Sequence, residues 1–434
     1  MDSTVRKPET IEWLYLDFDG FFASVMQQLY PALRGRPIGI TPFETETDYT
    51  VIIACSKEAK ARGVKNVMRK PEARKICPDM LFIPQEPDMF RRAHNALCCA
   101  IASVIPIDVR KSIDELACRL DRNDIADPAG LAARIKAAIA RDVGAHITCS
   151  IGFGPNRHIA KIACKMDKPN GVTIWGPDKL PEILYPLPFD DIPGIGGAMS
   201  ARLWRAGIYD MKSLLATEPK QMRKLWNNVT GERLWYALHG YAVKANPSSK
   251  GMYGHGRVLA PDMRCLRDAY LCSRILLIKA ARRMRRDGYY ARQLNIWLSY
   301  RVGRKYKGPR KKGMGDKGLG HKVKIFNAND DHAAISALNQ LWADVRERLP
   351  QGAKIIRIGL FFGELVRADM RQLDLLHDDD TSRQGWERIT AAMDDLNKRY
   401  GRSVITLGPW QQKYGQHLGT KIAFTRIPRA EDAY

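Results

Sequence analysis

Residues 12–25, EWLYLDFDGFFASV, decide how the chain is read: an apolar run ends in the acid Asp17, and apolar positions at helical spacing resume from Phe21. A short apolar run that passes into a 3.6-residue period is a buried strand feeding a helix. Similar runs recur on either side of loops downstream. VIIACS (51–56) reads as a strand before the basic, helix-like KEAKARG, SIDELACRL (112–120) as a strand entered by a turn, GLAARIKAAIARDVG (130–144) as an amphipathic helix and HITCSIGFG (146–154) as a further strand. Strands alternating with helices predict an α/β or α+β sheet domain over roughly the first 175 residues. From 180 to 242 the chain becomes helical and Trp-rich (Trp204, Trp226, Trp235) around the glycine hairpin IPGIGG. AVKANPSSKGMYG (242–254) offers little to bury and reads as a linker. A second α/β unit follows, with the basic helix AYLCSRILLIKAARRMRRDG (269–288), strands LNIWLSY (294–300) and IIRIGLFFGEL (355–365), and a terminal helix WERITAAMDDLNKRYG (386–401).

The chain has 434 residues, which at roughly 100–200 residues per domain predicts about three or four domains. No 18-residue stretch is free of charge, which excludes an ordinary membrane-spanning helix, and MDSTVRKPETIEW lacks the pattern of a signal peptide, so a cytoplasmic protein is expected. The nine cysteines form no C-x-x-C pair and read as small, reduced core residues. The formal net charge of +23 calls for a polyanionic partner, because each phosphate neutralised by Lys or Arg releases counterions. Composition alone leaves DNA, RNA, ribosome and anionic lipid open.

The residues that carry chemistry are acids. Asp17 and Asp19 form a D-x-D followed by the paired aromatics Phe21 and Phe22, and Asp114 and Glu115 open the strand at 112–120. Magnesium prefers hard oxygen ligands and keeps substrate phosphates and waters in its shell, so phosphoryl transfer needs only two or three protein carboxylates. Asp17, Asp114 and Glu115 suit that role. Taken pair by pair, the same acids read first as residues that cap a strand or close a turn.

Segments elsewhere in the chain choose between these readings. LDFDGFFASV (16–25), LRGRPIGI (33–40), SIDE (112–115), SIGFGPNRHIAKIACKMDKPNG (150–171) and IPGIG (192–196) occur in the order and spacing of Y-family DNA polymerases. The chain resembles the bacterial DNA polymerase IV and UmuC-like branch of that family over nearly its whole length. The resemblance implies an α+β multidomain, right-hand polymerase: palm 1–30 and 88–175, fingers 31–87, a helical thumb with a helix-hairpin-helix at 176–242, linker 243–253, an α/β little finger 254–366 and a C-terminal tail 367–434. It implies low-fidelity, template-directed translesion synthesis from dNTPs on primer-template DNA. A non-catalytic Y-like accessory protein that binds DNA and the sliding clamp is the alternative, and a basic structural DNA-binding protein would leave the acids unexplained.

Residue by residue, the resemblance implies that Asp17, Asp114 and Glu115, with the backbone carbonyl of Phe18, hold two Mg2+ ions, while Asp19 is structural. Phe22 falls at the family's steric gate against ribose, with Phe21 packed beside it, and Ile53 and Ala54 roof the nascent pair. Lys57 and Lys60 stand where relatives carry a Tyr and an Arg on the triphosphate, so charge survives without the planar guanidinium fork. Lys168 matches a second triphosphate lysine, and Arg157 a lysine that touches DNA or phosphate. Met26 replaces a residue often acidic in relatives, and nothing physical explains the change. Gly194 and Gly196 of the hairpin are expected on duplex phosphates. The cluster Lys279, Arg282, Arg283, Arg285 and Arg286, and the Gly-rich basic stretch 301–324 read as a hairpin loop, are expected to track DNA backbone. Gln372, Leu373, Leu375 and Leu376 of QLDLL resemble a sliding-clamp peptide, and the tail beyond resembles the UmuC-like extension, which implies a recombinase or another accessory partner.

Overall fold

The computed structural model describes residues 6–42, 50–243, 250–302, 316–371 and 380–409, which divide into two units, 6–243 and 250–409. In the first unit the strands are β1 (Trp13–Phe18), β2 (Ile38–Thr41), β3 (Ala54–Cys55), β4 (Leu81–Pro84), β5 (Val109–Arg110), β6 (Glu115–Arg119), β7 (Cys149–Gly154) and β8 (Val172–Ile174). They form a five-stranded sheet in the order β5-β6-β1-β7-β8 and a three-stranded sheet in the order β3-β2-β4. β1 runs antiparallel to both its neighbours, with Asp17 opposite Glu115 on β6 and Ser150 on β7. Alternation along the strand sends Leu14, Leu16 and Phe18 into a core with Phe21, Phe90, Leu116 and Ile151. Tyr15 lies on the opposite face with Ala117, Ala160 and Cys164.

Gly20, at φ +57°, takes the left-handed turn that carries the chain from β1 straight into the helix Phe21–Leu29. The helix Arg157–Met166 covers the Tyr15 face and approaches β7 so closely that a Cβ on Gly152 would run into the backbone of Ala160 and Cys164. One strand is shorter than its apolar run predicts. Of VIIACS, only Ala54–Cys55 belongs to the sheet, because Val51 and Ile52 bond instead to residues 67–69, while Ile53 donates to the Ile40 carbonyl. Four helices, Gly197–Arg205, Met211–Leu215, Pro219–Trp226 and Val229–Leu238, pack around Leu203, Met211, Met222 and Trp226. Trp204 is 59% exposed on that module.

The second unit is an antiparallel sheet in the order β11-β10-β12-β9, built from β9 (Tyr253–Val258), β10 (Tyr289–Val302), β11 (Lys317–Ala328) and β12 (Ala353–Arg367). The helices Leu266–Arg286 and Asp331–Arg348 cover one face. Two expectations are corrected here. Tyr253, taken as the last linker residue, is 2% exposed and opens β9. The basic stretch 301–324 is not all loop: residues 303–315 lie outside the described residues, but Lys317–Ala328 is a strand whose Leu319, Val323 and Ile325 pack on the core. Lysines and glycines at the alternate positions hide that period of two.

The arginine cluster is the third correction. Arg282 and Arg285 of the helix Leu266–Arg286 turn toward acids on the helix Asp331–Arg348 and the terminal helix Asp380–Arg399. Arg285 bridges Asp331 and Asp394 at 2.8 Å each, and Arg282 reaches Asp394 at 3.2 Å and Ser403 at 3.0 Å. Arg283 donates to the Gly254 carbonyl at 2.6 Å, and Arg286 pairs with Asp287 at 3.3 Å. Arg282 and Arg285, with side chains only 12% and 10% exposed, are therefore structural rather than DNA-facing. Arg371 on Glu387 at 3.0 Å and the Trp386 ring stacked on His332 at 4.2 Å complete the attachment of the terminal helix. Breaking a buried pair by removing one partner leaves a charge without compensation and costs about 3–5 kcal/mol. Asp331→Ala is therefore expected to lower the stability of the second unit by roughly 3 kcal/mol. Chemical denaturation of the full chain measures this, and an unchanged midpoint counts against the internal role of Arg285.

Candidate active site

The end of β1 and the start of β6 bring the predicted acids together. Asp17 and Glu115 are register partners, and the Phe18 amide donates to the Asp114 carbonyl at 2.9 Å, which ties the two acid-bearing segments side by side. Each carboxylate is already held by a donor. Lys168 pairs with Asp17, and Ser112 donates to Asp114 at 2.5 Å. Lys161 donates to both oxygens of Glu115 at 2.7 and 2.8 Å, and the Tyr15 hydroxyl donates to Glu115 Oε2 at 2.9 Å. Burial pushes the Asp17 carboxyl up to about 6 against the pull of Lys168, and the like charges of Asp114 and Glu115 add to the rise. Burial also raises Asp114, against its bond from Ser112. Burial lowers Lys168, but the Asp17 charge outweighs it, so the amine stays above its ordinary value and carries its proton.

Among the described residues no three His, Cys, Asp or Glu side chains converge into a metal-ligand cluster; Asp17 and Glu115 are paired with Lys168 and Lys161. The donor set nevertheless fits a hard divalent cation: the candidate ligands are all oxygens, Asp17 and Glu115 face each other in register, and the part-exposed Lys161 and Lys168 stand beside them.

Asp19 points away from this group. It accepts from the Thr148 hydroxyl at 3.0 Å, the Ser150 hydroxyl at 2.8 Å and the Asn170 amide at 2.8 Å. Those bonds anchor the turn after Lys168 to the end of β1, which is a structural task. Four supporting residues escaped the sequence analysis. Tyr15 and Lys161 orient Glu115. Buried His94 bonds the Ile113 carbonyl at 2.7 Å and steadies the loop that carries Asp114. Asn156 caps the helix Arg157–Met166 and donates to the Ala237 and Tyr241 carbonyls at 2.8 and 2.9 Å, joining that helix to the helical module. Only a period-two reading of WLYLDF, which puts Tyr15 on the Asp17 face, could have signalled one of them.

The remaining predicted residues sit on separate elements. Phe22 is 3% exposed, edge-on to Phe90 at 4.9 Å and to Phe21 at 5.3 Å, so its ring is held firmly at the head of the helix. Lys57 and Lys60 are exposed on the helix Lys57–Ala61, and no bond links them to the carboxylates among the described residues. Arg157 is half-buried at the first turn of its helix. Gly194, at φ +100°, and Gly196 stand in open space while Ile192 and Ile195 anchor their loop in the core, so the first amides of the helix Gly197–Arg205 face outward. Gln372, Leu373, Leu375 and Leu376 lie outside the described residues.

Comparison with known proteins bears on the same segments. Residues 16–165 match the impB/mucB/samB family, 177–208 the IMS family HHH motif and 252–375 the impB/mucB/samB family C-terminal domain. The chain is 32% identical over 400 residues to the DNA polymerase IV of Moorella thermoacetica, covering 90% of this chain and 94% of the relative. It is 26% identical over 407 residues to DNA polymerase IV 1 of Bacillus subtilis, covering 92% and 93%. Among solved structures, a Y-family DNA polymerase chimera of Dbh and Dpo4 has the same fold, with a TM-score of 0.64 at 22% identity over 82% of this chain and 99% of the other. An insertion ternary complex of Dbh DNA polymerase gives 0.53 at 22% identity over 82% and 99%.

Proposed function

Because the chain belongs to the Y family of DNA polymerases and is a template-directed, low-fidelity translesion enzyme of that family, we propose that Asp17, Asp114 and Glu115, with the Phe18 carbonyl, hold two magnesium ions for nucleotidyl transfer. The observation that carries this is the register of Asp17 against Glu115, with Asp114 bonded in beside them. When bound, the ions activate the primer 3′-hydroxyl and neutralise the leaving pyrophosphate. With all three acids present, nothing favours the non-catalytic accessory reading.

The chain's own groups supply positioning and charge. Lys168, protonated on Asp17, exchanges that carboxylate for the incoming triphosphate. Tyr15 and Lys161 keep Glu115 in one orientation, so the carboxylate loses little freedom on taking up a cation. Lys57 and Lys60, at i,i+3 on one exposed helical face, offset phosphate charge as point charges, without a bidentate fork. Phe22, braced by Phe90, forms the floor beneath the sugar and leaves no room for a ribose 2′-hydroxyl. Gly194 and Gly196 let the helix amides behind them approach duplex phosphates, with Arg157 as a further backbone contact.

In domain terms, 1–30 with 88–175 serves as palm, 31–87 as fingers, 176–242 as thumb and 254–366 as little finger. QLDLL docks on the sliding clamp, with Leu373, Leu375 and Leu376 in an apolar pocket and Gln372 making polar contacts. The tail beyond it serves a recombinase or another damage-tolerance protein.

Three measurements test this reading. Primer extension with magnesium should proceed with the parent chain and fall on the order of a thousandfold in Asp114→Ala, Glu115→Ala, since the cations supply several kcal/mol to the transition state. A parent that adds no nucleotide would sink the polymerase site. Phe22→Ala should raise ribonucleotide incorporation relative to deoxynucleotide, and unchanged sugar selectivity removes the gate assignment. Replacing Gln372, Leu373, Leu375 and Leu376 by Ala should abolish retention on an immobilised sliding clamp; continued retention refutes the motif.

A further inference from the structure

We propose that the open face of the second unit's sheet carries a stacking floor for an unpaired DNA base, built on Trp297 and flanked by Lys322 and Arg357. The polymerase reading supplies only the identity of the nucleic acid. The floor itself follows from the register. One cross-strand row reads Gly320 on β11, Trp297 on β10, Gly359 on β12 and Gly256 on β9. Three glycines in one row are against β propensity, and glycine in a strand marks a place where something approaches the backbone closely.

Part of that something is the indole itself. A Cβ on Gly359 would clash with the Trp297 ring at its Nε1, and one on Gly256 would meet its Cζ2 at 3.5 Å. The ring therefore lies down along the sheet, across β12 toward β9. Trp297 is still 43% exposed, whereas Trp342, on the helix Asp331–Arg348 that covers the other face of the sheet, is 4% exposed. One face of the indole rests on backbone and the other meets solvent.

The rows on either side fit the same ligand. Next to the indole run Lys322, Asn295, Phe361 and Gly254, which places a half-buried second aromatic diagonal to Trp297. On the other side of the indole run Gly318, Ser299, Arg357 and Val258. These three rows contain no Asp or Glu, and Lys322 and Arg357 are exposed. A flat aromatic surface between cations matches a base with its phosphates, and stacking of this kind tolerates any sequence. In duplex DNA the base faces are covered by their neighbours, so the occupant is an unpaired nucleotide of a single-stranded stretch.

Fluorescence anisotropy with the full chain tests the floor, using a labelled thymidine oligonucleotide and a matched one that keeps its phosphates but lacks bases. The parent should prefer the base-bearing strand by roughly 5- to 150-fold, the range for one stacked base. Trp297→Ala should erase that preference, and Trp297→Phe, which keeps a ring in the row, should retain part of it; a thermal melt of each variant separates lost stacking from lost fold. Equal affinity of the parent for both strands, or a preference that survives in folded Trp297→Ala, overturns the proposal. The Asp114→Ala, Glu115→Ala variant should keep the preference whatever its extension activity, so a failed stacking floor and a failed polymerase site give different results.

Discussion

The register of β1 between β6 and β7 is the constraint on which the site depends. A slip of one residue would turn Tyr15 and Asp17 into the core and bring Leu14 and Leu16 out to the site face. Burying Leu14, Leu16 and Phe18 is worth about 1.5–3 kcal/mol each, so the three together contribute roughly 5–9 kcal/mol to holding this register. Two like charges about 5 Å apart repel by roughly 3 kcal/mol at an effective dielectric constant of 20. Apolar burial thus has the strength to force acids into a neighbourhood that they would not choose, and it acts from the other side of the sheet.

The crowded acids are then managed locally. Lys168 and Lys161 neutralise two of them, and Ser112 satisfies the third. Burial pushes the Asp17 carboxyl up to about 6, and Lys168 offsets only part of that burial and of the repulsion from Asp114 and Glu115. A divalent cation at this point would relieve the same imbalance. Asp19, two residues from Asp17, is held instead by hydrogen bonds from Thr148, Ser150 and Asn170.

The second unit uses charge differently. Asp331 and Asp394 come from different helices and meet on Arg285, so residues that read as an exposed basic stripe become an internal network. Cations remain on the uncovered face of the sheet, at Lys322 and Arg357, beside an indole that neighbouring glycines leave room to lie flat. A linear count of Lys and Arg cannot separate these two populations.

The sequence by itself determined the strand-to-helix turn at 12–25, the three acids and their likeness to one polymerase family, because local periodicity and the order of short motifs survive without knowledge of contacts. The tertiary structure decided what each charge is for. Lys161 meets Glu115 from 46 positions away and Arg285 meets Asp394 from 109 away, and such pairings depend on how helices pack across a sheet, which leaves no periodic trace in the chain. The flat seat of Trp297 is of the same kind: its three glycines belong to three other strands and become neighbours only once the register is set.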